Sequence, residues 1–177
     1  MTNNQKIVGL LIGLASVTVG FAAIGFSIGY RWNESISYPP GLYRLTQSST
    51  TYQKGDLVLF CPPNNAAIQM AKNRGYLKFG TCDGGVTPVM KRIVGTSGDK
   101  ITFNHTIHIN GHKLDRTYLL KEDGEHRPLP QLSNFTIEKN HVFVISDHLP
   151  TVSFDSRYYG AVPATNIIGH IMPIWTP

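Results

Sequence analysis

The sequence predicts a mainly β domain with one short helix, preceded by a single N-terminal transmembrane helix. Three observations predict it. Residues 7–30 run without a charge between Lys6 and Arg31, and about 20 apolar residues span a bilayer. Beyond them, short apolar runs alternate with turn residues such as Lys54-Gly55-Asp56, Gly98-Asp99 and Asn110-Gly111, the pattern of a sheet protein with non-local pairing. Only one later stretch, from Asn64 or Asn65 to about Lys72, has the cap and length of a helix, with Gly75 to end it.

The 177 residues leave room for one anchor and one globular domain. The expected divisions are a tail at 1–6, an anchor at 7–30 and a domain at 31–177. A cleaved signal peptide is the alternative for 7–30, but its apolar part exceeds the usual length of such a region. Lys6 and the terminal amine favour a cytoplasmic N-terminus, which puts everything after Arg31 outside. Gly9 and Gly13, and Gly25 and Gly29, each fit a small-residue helix-packing pattern, although glycine is also simply common in membrane helices. The net charge is +5 with Lys and Arg scattered; attraction to anionic lipid headgroups explains it more cheaply than nucleic acid, which is not expected as a partner.

In order, strands are expected at Leu42–Leu45, Leu57–Phe60, Pro88–Gly95, Lys100–Phe103, Thr106–Ile109, His141–Ser146 and Ile167–Trp175. Asn110-Gly111 is the strongest hairpin signal. Leu114 to about Leu132 is polar and reads as a surface excursion. Asp147–Gly160 reads as a loop. Cys61 and Cys82 invite a disulfide if the domain faces an oxidising compartment; two free thiols or a two-ligand metal site are the alternatives, and the ligand count for a metal is poor.

Three separated stretches carry possible chemistry. In Asn33–Tyr43, Pro39, Pro40 and Gly41 stiffen the backbone beside Ser37. In the strand around Lys91, the neighbours Val89, Met90, Ile93 and Val94 are apolar. Burial there would lower a lysine pKa and free the amine to act as a base toward a serine hydroxyl. In Ser153–Gly160, an extended chain would put Ser153, Asp155 and Arg157 on one face. Asp155 and Arg157 would then pair and leave the Ser153 hydroxyl to hold the lysine. Each stretch also has a plain reading: a turn, a lysine reaching water, an exposed ion pair.

Taken in order behind an anchor, these stretches resemble the S26-family Ser/Lys signal peptidases. The closer likeness is to the conjugative-transfer branch, the TraF-type pilin-processing peptidases. The matching residues are Asn33, Ser35, Ser37, Pro39, Gly41 and Tyr43; Met90 to Gly95 with Gly98-Asp99; and Ser153 with Asp155 to Gly160. The resemblance implies a signal-peptidase-like β domain in the periplasm, tethered by one span to a bacterial inner membrane. It implies Ser37 as nucleophile, Lys91 as general base, and the Ser37 N–H with the Ser35 hydroxyl as oxyanion donors. Ser153 would orient the lysine, and Asp155 with Arg157 would support the site. No cofactor or metal is implied. Implied partners are a pilin or secretory precursor, membrane lipid and the conjugative transfer machinery.

Departures from general leader peptidases are Tyr38 after the serine, where they usually carry methionine, and Ser146-Asp147-His148, where they usually show Gly-Asp-Asn. A general signal peptidase, a non-catalytic envelope scaffold and a self-cleaving repressor are the competing functions. The last lacks a DNA-binding helix pair. Histidine is the commoner partner of serine, but no His here belongs to a matching motif.

Overall fold

The computed structural model describes residues 2–47 and 51–177; Met1, the first residue of the expected tail, lies outside them. The apolar run forms helix α1, Asn3–Ser27. Thr2 caps it reciprocally with Gln5, each side chain accepting from the other's backbone N–H. No residue of α1 is buried, and side chains such as Leu10, Leu14 and Phe21 are exposed. By length and composition α1 can cross a membrane. It stops at Ser27 although the charge-free run continues to Tyr30. Gly29 has φ +99, and a Cβ there would lie 2.4 Å from Leu45 O. Its own carbonyl accepts the Leu45 N–H at 2.8 Å. Gly29 is therefore the turn that leads the chain onto the sheet, and it is not part of a helix-packing face with Gly25.

Eleven strands follow: β1 Tyr30–Asn33, β2 Gly41–Gln47, β3 Leu57–Phe60, β4 Val89–Thr96, β5 Lys100–Asn104, β6 Thr106–Ile109, β7 His112–Tyr118, β8 Phe135–Thr136, β9 His141–Ile145, β10 Val162–Pro163 and β11 Ile167–Trp175. They form an antiparallel seven-stranded sheet, ordered β1-β2-β11-β3-β4-β9-β10, and a four-stranded sheet, ordered β7-β6-β5-β8. The domain is mainly β, as the sequence leads one to expect. Helix α2, Ala66–Asn73, starts where Asn65 accepts the Ile68 N–H.

Two expectations are corrected. The start of the supposed excursion from Leu114 is β7, whose residues alternate little in burial because it is the edge of the small sheet. The Asp147–Gly160 loop contains a 3-10 turn, Pro150–Val152, and a one-turn helix α3, Ser156–Tyr159. Asp155 caps α3 by accepting the Arg157 N–H, so Ser153, Asp155 and Arg157 do not line one face of an extended strand.

The core has three parts. Val58, Phe60, Ile68, Ile93, Val144 and Val162 fill the space between the large sheet and α2 with α3. Ile101, Ile107, Ile137 and Phe143 join the two sheets. Tyr38, Tyr43, Met90 and Ile171 form a small cluster that floors the site.

Candidate active site

The base candidate is held by the sheet. Val89, Lys91 and Ile93 share one face of β4 by strand alternation, and Val89 and Ile93 both pack on the main core. Val58 lies opposite Lys91 across the β3–β4 ladder and is fully buried. Lys91 is 3% exposed. Its ammonium has no ion-pair or hydrogen-bond partner among the described residues, and desolvation pulls its pKa down to about 8. The negative charge of Asp155 works against that fall, and the positive charge of Arg157 adds to it. Arg92 points to the other face, where it reaches Asp147 and the Gly55 carbonyl. Its charge therefore does not solvate Lys91.

The nucleophile candidate is held by a loop. Residues 34–40 lie between β1 and β2 and contribute to neither strand. Asn33 braces the loop from inside, its amide donating to the carbonyls of Ser35, Tyr38 and Pro39 at 3.0–3.1 Å. The Tyr43 hydroxyl donates to Pro39 O at 2.7 Å. The Tyr38 ring is buried and its hydroxyl donates to Asp147. Burial raises the Tyr38 pKa, and the Asp147 carboxylate raises it further. Gly41 closes the loop with φ +145, and a Cβ there would meet Trp175 O at 2.2 Å.

The third piece comes from the β9–α3 connection. The Ser153 hydroxyl lies 2.8 Å from Leu149 O and 3.2 Å from Ser37 Oγ. A hydroxyl has one proton to donate, and the carbonyl can only accept. Ser153 therefore gives its proton to Leu149 and offers Ser37 a lone pair. Behind it, Asp155 and Arg157 are almost fully buried and joined at 2.7 Å. Arg157 also donates to the carbonyls of Tyr118, Pro150 and Ser153, which satisfies the guanidinium and locks the connection.

Ser35, Ser37, Lys91 and Ser153 all line one cleft of about 1350 Å³. The cleft reaches from Phe26 in the last turn of α1 and Trp32 in β1 to Tyr76, Leu120 and Leu129. Ser37 N–H donates to Ser35 Oγ at 3.2 Å, so the two groups offered as oxyanion donors lie side by side. Ser153 sits on Ser37, and no hydrogen bond joins it to Lys91 among the described residues. Asp155 and Arg157 support the loop without entering the cleft. Cys61 and Cys82 form a disulfide outside the cleft, with Cα atoms 5.4 Å apart; it closes the 61–82 segment that carries Tyr76 and Lys78 along the cleft wall. Among the described residues, no group of three or more His, Cys, Asp or Glu is placed to hold a metal. His148 stacks on Tyr38 with ring centroids 6.4 Å apart and does not line the cleft.

One residue that the sequence marks only as a departure contacts the Ser37 loop. Ser146 is fully buried, and its hydroxyl donates to Ser37 O at 2.7 Å.

The chain matches the family described as Signal peptidase, peptidase S26, over residues 1–176. It belongs to that family. The family places the chain among serine peptidases of the signal-peptidase type. The chain is 35% identical to the probable conjugal transfer protein TraF of Sinorhizobium fredii, covering 94% of this chain and 89% of the relative. It is 35% identical to a plasmid transfer protein TraF of Escherichia coli, covering 94% and 93%. Likeness to signal peptidase I of Bacillus caldolyticus is 30% identity over 46% of this chain and 50% of the relative.

Proposed function

We propose that this chain is a membrane-anchored serine endopeptidase that matures a conjugative pilin precursor, with Ser37 as nucleophile and Lys91 as general base. The observation that carries the reading is a lysine 3% exposed, with its pKa near 8, lining the same cleft as a serine on a braced loop. A neutral amine in a dry pocket accepts the Ser37 proton as Oγ attacks the scissile carbonyl. The Ser37 N–H and the Ser35 hydroxyl turn from each other to the oxyanion, a stabilisation typically worth about 3 kcal/mol per donor. The Lys91 ammonium then protonates the departing amine, leaving an acyl-enzyme on Ser37.

The acyl group has two fates. Water releases a linear product; the N-terminal amine of the same pilin closes a ring, which makes the reaction a transpeptidation. The pilin substrate rests on near full-length similarity to conjugal and plasmid transfer proteins, against half-length similarity to a signal peptidase I. That second likeness favours the runner-up, a general signal peptidase.

The arrangement that goes with this reading is a tail at 1–6, an anchor at 7–30 and a catalytic domain at 31–177 on the periplasmic side of a bacterial inner membrane; an apolar helix able to cross a membrane supports the anchor. The Cys61–Cys82 disulfide supports an oxidising compartment. Ser37 lies six residues beyond Arg31, so it stays within about 20 Å of the membrane edge at full chain extension. A cut at the end of a substrate's own membrane segment is within reach.

The test incubates detergent-solubilised full chain with the pilin precursor of the same transfer system and with an ordinary secretory precursor. Products are weighed by mass spectrometry. Wild type is expected to cut the pilin, and Ser37→Ala and Lys91→Ala, both folded, to cut nothing. A product lighter by one water than the trimmed linear chain shows ring closure. Equal rates on both precursors would select the general peptidase, and processing by either folded variant would remove the dyad.

A further inference from the structure

Ser37 sits on a loop outside the strands, whereas Lys91 is fixed within one. Something must set the distance between them. The hydrogen bonds around Ser37 form a closed circuit. Ser146 Oγ donates to Ser37 O at 2.7 Å and accepts the Leu149 N–H at 3.3 Å. The Leu149 carbonyl accepts from Ser153 Oγ at 2.8 Å, and Ser153 Oγ meets Ser37 Oγ at 3.2 Å. Both ends of Ser37, its carbonyl and its hydroxyl, are thus gripped by serines keyed to the same peptide residue.

Ser146 also connects this circuit to the base. In the β4–β9 ladder Arg92 pairs with Ile145 and Ile93 with Val144; continuing that register by one residue brings Ser146 opposite Lys91. Its backbone N–H donates to Asp155 Oδ2 at 3.1 Å, which ties it to the buried Asp155–Arg157 pair. The neighbouring residue repeats the pattern: Asp147 accepts from Tyr38 on the loop and from Arg92 beside Lys91. Two consecutive residues at the end of β9 therefore hold two consecutive residues of the loop.

We propose that Ser146 is a positioning residue for the Ser37 nucleophile: its hydroxyl fixes the Ser37 carbonyl to the strand end beside Lys91, and through Leu149 it aligns Ser153 on the Ser37 hydroxyl. The proposal rests on Ser37 being the nucleophile. Removing the Ser146 hydroxyl leaves the Ser37 carbonyl without this donor and frees the loop to drift, while Lys91 keeps its apolar surroundings. Misplacement of a reacting group by about 1 Å costs on the order of 100-fold in rate.

The experiment measures kcat, KM and the pH profile of Ser146→Ala and Ser146→Cys on the pilin precursor, beside wild type and Ser37→Ala. The cysteine fills the position with a slightly larger group that donates only weakly. Rates are expressed per folded molecule, counted by near-ultraviolet circular dichroism. The expected result is a fall in kcat of about 10- to 100-fold, KM within about twofold, and a pH midpoint still near 8. A general loosening of the core would instead admit water to Lys91 and move that midpoint upward, which would overturn a positioning role. A folded Ser146→Ala or Ser146→Cys with wild-type kcat would overturn it too. If Ser37→Ala retains activity, the nucleophile assignment has failed; if Ser37→Ala is inert and the Ser146 variants are normal, only the positioning role has failed.

Discussion

Replacing Lys91 by methionine should make the protein more stable while abolishing its activity, and the gain should depend on pH. Lys91 is 3% exposed, and its pKa falls from the ordinary 10.5 to about 8 because burial disfavours the ammonium. The folded value lies below the unfolded one. Between these two values the unfolded chain binds more protons than the folded one, so stability rises with pH across that window. Below about pH 8 the cost of burying the charge is fully present. A gap of about 2.5 pH units at 1.36 kcal/mol each makes it about 3 kcal/mol. Methionine has similar length and no charge, so Lys91→Met removes that cost. Its packing gain or loss does not vary with pH and cancels when pH values are compared. The stability difference between variant and wild type should shrink by about 1 kcal/mol from pH 7 to 9 and by about 3 kcal/mol by pH 10.5. Urea unfolding of full chain in one detergent, at matched pH for both proteins, measures it. In thermal unfolding the full difference is about 6–12 °C for a chain of this size. Every other titrating group is common to both proteins and drops out. A difference that stays flat from pH 7 to 10.5 would refute the claim that Lys91 is held against desolvation, and the general-base argument with it.

The same arrangement leads to three further outcomes. The value of kcat/KM should rise with unit slope below about pH 8 and level off above it, since it reports the free enzyme's base; a limb centred near pH 6.5 would point to histidine instead. Asp155→Asn should cost about 3–5 kcal/mol, because it strands the buried Arg157 charge. In the fraction that folds, the pH limb should move below 8, since the Asp155 charge holds the Lys91 pKa up; a thermal midpoint within about 2 °C of wild type would contradict the first part. Reducing the Cys61–Cys82 disulfide, whose partners are 21 residues apart, should cost about 3 kcal/mol. Activity per folded molecule should be retained, because neither cysteine lines the cleft, and circular dichroism with a rate assay separates the two effects.

Much of the fold is legible in the sequence where a local signal decides it. Asn65 caps α2, Asn110-Gly111 turns β6 into β7, and the short apolar runs at Leu57–Phe60 and His141–Ile145 are strands. Elements set by distant partners are not legible. β1 is not among the strands expected from the sequence, where its first residue, Tyr30, reads as the end of the anchor; it is a strand only because Gly29 reverses onto Leu45 and pairs Tyr30 with Arg44. β7 is mostly polar because it is an edge strand, so hydrophobic alternation does not mark it. The helical start at Asp155 has a local signal, a capping side chain followed by Ser156 and Arg157, but a single turn of four residues is too short to show a helical period in a segment that reads as a loop. Ser37, Lys91 and Ser153 lie far apart in the chain and become a group only as an ordered set of motifs. Ser146 is visible in sequence only as an unusual residue, since its role depends on where the end of β9 falls relative to a loop 109 residues away.

The placement of the two groups proposed to react also accounts for why they differ so much in rigidity. A lysine with a depressed pKa must be enclosed on every side, and only a central strand flanked by β3 and β9 supplies that enclosure. The serine must remain open to an incoming chain, so it cannot share that burial, and it sits half-exposed on a loop. Placing it between β1 and β2 brings it to the edge of the sheet that continues from α1. The exposed side chains there include Trp32, Ile36, Met172, Ile174 and Trp175. The same choice that keeps the nucleophile reachable leaves its position undetermined by the ladder. The contacts from Asn33, Tyr43, Ser146 and Ser153 then do for one loop residue what strand pairing does for Lys91, and loss of any one of them should be felt at Ser37 before it is felt in the fold.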